Sequence, residues 1–137
     1  MRQVAPYALW LGHVGDVRDL RAVLSAGVLA VVDLAMNEPT PTLTRELTYC
    51  RFPLVDGAGN PPWVVRAAVD TVATLLRSAV PTLIYCSAAM SRSLVIAAAG
   101  LAKVSGKSLN ECLAIVADTG PHDLSPALLH DVRGLLG

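Results

Sequence analysis

The sequence is poor in aromatic residues, in lysine and in net charge, and each shortage narrows the possible classes of protein. Aromatic residues make up 4% of the chain against 53% for all hydrophobic residues, so alanine, valine and leucine must build the core. Lysine occurs only at positions 103 and 107, and the formal net charge is zero. No overall field therefore draws in nucleic acid or an acidic membrane, and any attraction for a charged ligand must be local.

Long apolar runs are also missing. The uncharged stretch 78–91 is interrupted by Pro81 and followed by Arg92, which leaves it well short of the ~18–20 residues that a membrane span needs. The first seven residues lack the apolar core and cleavage site of a signal peptide. We therefore expect a cytoplasmic protein with no membrane and no nucleic-acid partner. A length of 137 residues predicts a single domain over 1–137, and we expect it to be a monomer.

The chain has three cysteines, an odd number without close pairing, which indicates neither a disulfide framework nor a Cys-x-x-Cys metal knuckle. Cys50 and Cys112 are predicted to be small apolar fillers. The alternative for Cys50 is a resolving thiol, should Cys86 become oxidised. The sequence offers no convincing cluster of metal ligands, so we expect no metal and no other cofactor.

Strand and helix signals alternate along the chain. The strands are predicted at 7–11, 28–34, 48–55 and 82–86, and the run "VLAVVDL" at 28–34 is typical of a strand buried on both faces of a parallel sheet. Five helices are predicted. The first follows an N-cap at Asp16, with Asp19 as its weak capping-box partner, and the second begins at Pro61 or Pro62. The third covers 91–104, the fourth follows the capping box Ser108–Glu111, and the last begins at Ser125–Pro126. This order predicts an α/β fold of three layers, α/β/α, around a mostly parallel, twisted sheet of about four to five strands.

Two reactive side chains follow predicted strands directly. In such sheets, ligands bind outside the carboxyl ends of the strands. Cys86 stands at the end of strand 82–86, and Asp56 comes just after strand 48–55. Asp56 also begins an Asp-Gly pair, which is first of all a turn signal. Asp33, near the end of another strand, is the second candidate acid. The alternative is a partly buried aspartate that accepts hydrogen bonds from loop N–H groups.

The segment after Cys86 has the composition of an anion-binding loop. A loop of small residues that leads into a helix can turn its backbone N–H groups, and the free N–H groups of the helix, toward one point. Arg92 adds a planar guanidinium that can hold two oxygens of a phosphate at once. The same positive surroundings favour a thiolate over a thiol. The alternative is that Cys86 is a structural cysteine. With three cysteines and nine arginines in the chain, an arginine six residues after a cysteine is common by chance.

At this point the sequence resembles a known family, the small, atypical branch of the cysteine-dependent dual-specificity phosphatases. The signature of that family is His-Cys, five residues, Arg and then Ser or Thr, and this chain has Y-C-S-A-A-M-S-R-S at 85–93. The segments "ALWLG" at 8–12, "VVDLA" at 31–35 and "YCRFPLVDG" at 49–57 also resemble that branch in order and spacing. The resemblance covers nearly the whole chain and implies the same fold.

The resemblance implies a metal-independent protein-tyrosine and dual-specificity phosphatase. Cys86 would be the nucleophile that forms a phosphocysteine, Asp56 the general acid, and Ser93 a hydrogen-bond donor to the sulfur. The substrate would be a phosphorylated protein carrying phosphotyrosine, and also phosphoserine or phosphothreonine, and the site would bind oxyanions such as phosphate, sulfate and vanadate. The phosphate-binding residues would be Ser87, Ala88, Ala89, Met90, Ser91 and Arg92.

Two positions depart from the family pattern. Tyr85 replaces the histidine that precedes the nucleophile, and Ala89 replaces the usual glycine of the loop. If that glycine position requires a left-handed backbone, alanine costs about 1–2 kcal/mol there.

Other functions stay open at this stage. They are an inactive or weakly active phosphate- or phosphopeptide-binding relative, a redox-sensing thiol protein, and a phosphatase for phosphoinositides or RNA 5′-phosphates. The last is disfavoured because the loop contains no lysine.

Overall fold

A computed structural model describes all residues from 1 to 137, and its centre is a five-stranded sheet. The strands are β1 (Arg2–Gln3), β2 (Leu9–His13), β3 (Ala30–Ala35), β4 (Thr48–Leu54) and β5 (Thr82–Cys86). Their order across the sheet is β1-β2-β5-β3-β4; β1 runs antiparallel to β2, and the other pairs are parallel. The predicted mostly parallel sheet is confirmed.

Six helices cover the two faces of the sheet. They are α1 (Val14–Arg18), α2 (Leu20–Ser25), α3 (Pro62–Arg77), α4 (Arg92–Ser105), α5 (Leu109–Ala117) and α6 (Pro126–Leu136). The larger core contains 25 buried residues, and α3, α4, α5 and α6 contribute to it. The smaller core contains 8 buried residues, and α1 and α2 contribute to it. The predicted α/β/α layering is therefore also confirmed.

The pleat of β5 sends successive side chains into different cores. Ile84 and Cys86 belong to the larger core, whereas Leu83 and Tyr85 belong to the smaller one. This follows from the period of two along a strand. The nucleophile candidate and the residue before it therefore lie on opposite faces of the sheet.

The first helical region differs from the prediction. The predicted N-cap at Asp16 is wrong, because α1 is capped by His13, whose Nδ1 accepts a hydrogen bond from the Gly15 N–H at 3.0 Å. Asp16 is instead the reciprocal acceptor of this capping box and receives the His13 N–H at 2.9 Å. Asp19 caps a separate helix, α2, by accepting from the Ala22 N–H at 3.2 Å.

Strand boundaries shift by about two residues at the start of the chain. β2 occupies 9–13 rather than the predicted 7–11, β3 begins at Ala30 rather than at 28, and β1 was not predicted. None of the six helices combines the length and the apolar composition that a membrane span requires.

Candidate active site

Cys86 is the last residue of β5, at the carboxyl edge of the sheet. Its residue is 2% exposed, and its Sγ lies 3.4 Å from the hydroxyl oxygen of Ser93, on the first turn of α4. Burial and a single hydroxyl contact leave the sulfur with little water around it. A hydroxyl at this distance can donate a hydrogen bond to an anionic sulfur.

The segment 87–91 links β5 to the start of α4, as the anion-loop interpretation requires. Ser91 is the N-cap residue of α4, but its side chain makes no capping hydrogen bond. Its hydroxyl accepts instead from the Ser125 N–H at 2.8 Å. The first-turn N–H groups of α4 therefore have no side-chain cap, and this end of the helix can receive an anion.

Ala89 lies in the left-handed region of the backbone, with φ of 57°. The residue is 7% exposed, so the strained position is also packed. The conformational cost of about 1–2 kcal/mol that alanine brings to a left-handed position therefore applies here. The loop keeps the shape that a glycine would adopt more easily.

Arg92 is 8% exposed, and its guanidinium reaches the ends of two neighbouring strands. Its Nη1 donates to the Leu54 carbonyl at 2.8 Å and to the Leu34 carbonyl at 3.3 Å, while its Nη2 donates to Ser87 Oγ at 3.0 Å. None of the ion pairs in the structure includes Arg92. A buried cation without a carboxylate partner is costly, and an oxyanion in the loop would supply the missing negative charge.

Asn37 also contacts Arg92 and the loop, although it was not predicted from the sequence. Its Oδ1 accepts from Arg92 Nη1 at 3.2 Å and from the Ser87 hydroxyl at 3.0 Å. It thereby holds the guanidinium and the loop in one arrangement. Its place two residues after β3 is the signal that could have found it, because ligand sites lie at the carboxyl ends of such strands.

Asp56 lies in the loop that follows β4. It is exposed and follows Leu54, the last residue of β4, by two positions. The Leu54 carbonyl accepts from Arg92, and two residues span at most about 7 Å of chain. The backbone of Asp56 is therefore at most about 7 Å along the chain from a residue that binds Arg92.

Asn60 fixes the loop that carries Asp56. Its Oδ1 accepts from the Val55 N–H at 2.8 Å, and its Nδ2 donates to the carbonyls of Val55 at 3.0 Å and Gly57 at 3.3 Å. Asn60 does not cap α3, because the N-cap of that helix is Pro61, which has no side-chain cap. Asn60 instead holds the start of the loop in a defined shape.

Asp33 and Tyr85 lie on the face of the sheet away from Cys86. Asp33 is 1% exposed and accepts from the Ala35 N–H at 2.8 Å and from the Tyr49 hydroxyl, with Arg51 Nη1 3.8 Å away. Asp33 therefore has a structural role, as in the alternative given for it, but it is fully buried rather than partly buried, and its N–H donor belongs to β3. The Tyr85 hydroxyl is buried without a hydrogen bond.

Two tyrosine pKa values are raised in this cluster. Burial, and after it the neighbouring Asp33 carboxylate, raises the pKa of Tyr49 to about 12. The same two causes raise the pKa of Tyr85 well above its usual range. Both phenols are therefore neutral at physiological pH, so Tyr85 brings no positive charge to the place of the family's histidine.

Cys50 is not placed to act as a resolving thiol. It pairs with Val32 of β3, and Val32 pairs with Ile84 of β5. The Cα atoms of Cys50 and Cys86 are therefore two strand spacings apart across the sheet and two residues apart along the strand direction. Together these give a distance of about 12 Å. A disulfide requires Cα atoms at most ~6.8 Å apart.

Cys112 has the position of the apolar filler that the sequence predicts. Cys112 is buried in the larger core, and burial raises its pKa. No group of three or more His, Cys, Asp and Glu side chains is arranged to hold a metal ion.

Known proteins resemble this chain in both sequence and structure. Dual specificity protein phosphatase 8 of the mouse is 26% identical over 128 residues, which cover 92% of this chain and 19% of that protein. This chain therefore spans about a fifth of the length of that relative. No protein-family model matches the chain.

Solved structures match over nearly the full chain. Human DUSP28 superposes with a TM-score of 0.85 and 22% identity, over 98% of this chain and 94% of that one. A mouse protein described as a dual specificity phosphatase, in complex with zinc tungstate, gives 0.85 and 21% identity over 97% of this chain and 84% of that one. The chain has the fold of the small dual-specificity phosphatases, and the resemblance drawn from the sequence is confirmed.

Proposed function

We propose that this chain is a metal-independent phosphomonoester hydrolase that removes phosphate from phosphotyrosine, and from phosphoserine or phosphothreonine, in protein substrates. One observation carries the proposal: a buried guanidinium, Arg92, without a carboxylate partner, at the end of the loop that Cys86 begins. A nucleophile and an oxyanion-binding group in one small loop are what phosphoryl transfer to sulfur needs.

The first step forms a bond between Cys86 Sγ and phosphorus and breaks the bond from phosphorus to the leaving oxygen. The Arg92 guanidinium and the loop N–H groups hold the equatorial oxygens, where charge develops in the transition state. Asp56 protonates the leaving oxygen. The product alcohol departs, and the phosphocysteine remains.

The second step returns the sulfur to its starting state. Water attacks phosphorus, Asp56 takes the proton from that water, and the phosphorus–sulfur bond breaks. The Ser93 hydroxyl, 3.4 Å from Sγ, donates a hydrogen bond to the departing thiolate. The products are inorganic phosphate and the free enzyme.

The test is hydrolysis of a small aryl phosphate in the presence of EDTA by the natural chain, Cys86→Ser and Asp56→Asn. We expect activity without metal in the natural chain and none in Cys86→Ser. Asp56→Asn should lower kcat by about 10²–10⁴-fold, the usual contribution of a general acid. Asp70→Asn is the matched control, since Asp70 is an exposed carboxylate paired with Lys103 on α3 and α4. A need for divalent metal, or an unchanged rate in Asp56→Asn, would refute the mechanism.

A second candidate function is phosphopeptide binding with little turnover. The neutral phenol of Tyr85 favours it, because it replaces the histidine of the family signature with a group that carries no positive charge. Tight binding of a phosphopeptide by the natural chain, with no release of phosphate, would select this function over hydrolysis.

A further inference from the structure

The outer side of the phosphate-binding loop is held by an arginine from the other end of the chain. Arg2, on β1, donates from Nη2 to the Ala89 carbonyl at 2.5 Å and from Nη1 to the Pro121 carbonyl at 2.9 Å. β1 is itself fixed, because Arg2 is paired with Leu11 of β2. The guanidinium therefore bridges the loop and the segment between α5 and α6.

The residue that Arg2 grips is the strained one. Ala89 has φ of 57°, one of two positive values outside glycine in the chain. Because alanine disfavours this conformation by about 1–2 kcal/mol, it persists only where surrounding contacts hold it. A hydrogen bond from a charged donor to the Ala89 carbonyl is such a contact.

The position of this carbonyl bears directly on the anion site. In a trans peptide, the carbonyl of one residue and the N–H of the next point in opposite directions. Because Arg2 binds the Ala89 carbonyl, the N–H of Met90 points away from the Arg2 guanidinium. The Met90 carbonyl is likewise held, by the Asp123 N–H at 2.9 Å, so the N–H of Ser91 points away from Asp123.

Gly120 provides the space that Arg2 occupies. A Cβ at this position would lie 2.9 Å from Arg2 Cδ and closer still to Nη1, inside van der Waals contact. Any side chain at 120 would therefore push the guanidinium off the two carbonyls. The end of Arg2 is flexible, so it can give way without disturbing the backbone.

We propose that Arg2 is a positioning residue for the phosphate-binding loop: its guanidinium holds the left-handed peptide at Ala89 and so directs the Met90 N–H to the oxyanion. The inference rests on the proposed function, because it concerns the same loop. It adds a residue that the family signature does not contain and that lies 87 positions from Ala89 in the chain.

The test measures tungstate affinity by calorimetry, without turnover, in the natural chain, Arg2→Gln, Gly120→Ala and the double variant. Each single change should weaken binding about tenfold, in line with the loss of a charge-assisted hydrogen bond. The double variant should be no worse than either single one, since both remove the same contact. Arg66→Gln is the matched control, because Arg66 is an exposed arginine of α3.

A second variant separates loop positioning from general damage. Ala89→Gly removes the strain, so Arg2→Gln in that background should cost under about threefold. Unchanged thermal stability together with weakened tungstate binding supports the inference. Natural affinity in both Arg2→Gln and Gly120→Ala, or an equal loss in the Ala89→Gly background, overturns it. Absence of tungstate binding in the natural chain overturns the proposed function and this inference together.

Discussion

Two tyrosines in the buried cluster around Asp33 differ in how their hydroxyl groups are satisfied. The Tyr49 hydroxyl donates to the Asp33 carboxylate, whereas the Tyr85 hydroxyl is buried with no partner. A buried polar group without a hydrogen bond costs about 1–3 kcal/mol, while a hydrogen bond to a charged group contributes about 1.5–3 kcal/mol. The two hydroxyls should therefore affect stability in opposite directions.

Phenylalanine substitutions test this difference. Tyr85→Phe should raise the free energy of unfolding by about 1 kcal/mol, because it removes an unpaired buried hydroxyl and keeps the ring. Tyr49→Phe should lower it by a similar amount, because Asp33 loses a donor. Urea unfolding of both variants measures the two effects. A loss of stability in Tyr85→Phe would mean that its hydroxyl has a partner after all.

At the scale of elements, α3 and α4 pack closely at Gly100. A Cβ there would lie 2.9 Å from Val72 Cβ and 3.3 Å from the Ala73 backbone nitrogen, with Val72 Cγ1 closer still. Both partners belong to α3, and Gly100 is in the middle of α4, the helix that presents Arg92 to the site. The glycine sets how close these two helices come.

Alanine at two helical glycines separates packing from helix propensity. Gly100→Ala should lower the free energy of unfolding by about 1–3 kcal/mol through overpacking against Val72. Gly134→Ala in α6, where a Cβ meets nothing within 4 Å, should raise it by about 0.5–1 kcal/mol. Thermal or urea unfolding distinguishes the two, and equal effects would contradict the packing argument.

The elements that the sequence predicted well are those with strong local signals. β5 occupies the predicted 82–86, and α5 begins after Ser108, whose capping box with Glu111 is present in the structure. The cap of α1 was missed because a histidine side chain, His13, took the role expected of Asp16. β1 was missed because a two-residue strand has too few residues for an alternating pattern.

The same distinction applies to the candidate site. Cys86, Arg92 and Ser93 lie within eight residues of chain, so their pattern was readable. The partners of Arg92, at Leu34, Asn37 and Leu54, come from two other strand ends and meet only through the order of the sheet. Arg2 is still farther away in sequence. Long-range contacts of this kind leave no local pattern.

At the scale of the whole molecule, raised pKa values predict loss of stability in alkali. The Tyr49 phenol has a pKa of about 12 in the folded chain against 10.0 in the unfolded one, because burial and Asp33 disfavour its ionised form. Its contribution is therefore fully present below pH 10 and is lost as the pH rises from 10 toward 12. Burial acts in the same direction on Tyr85 and Cys112, whose pKa values are also raised.

Urea midpoints measured from pH 9 to pH 12 check this expectation. The natural chain should lose stability across the window, because the unfolded state releases its phenol protons first. The double variant Tyr49→Phe, Tyr85→Phe should lose less, since both phenols are gone. An identical slope in the two proteins would show that other groups cause the alkaline loss.

The most direct measurement of the central claim is the rate at which iodoacetate alkylates each cysteine near neutral pH, followed by peptide mass spectrometry. Cys86 should react about a hundredfold faster than Cys50 and Cys112, because it lies next to the uncapped start of α4 and to Ser87, which binds the Arg92 guanidinium. Phosphate or vanadate should protect it, and Arg92→Gln should slow its reaction. Alkylation of Cys86 no faster than that of Cys50, with no protection by either oxyanion, would contradict the account.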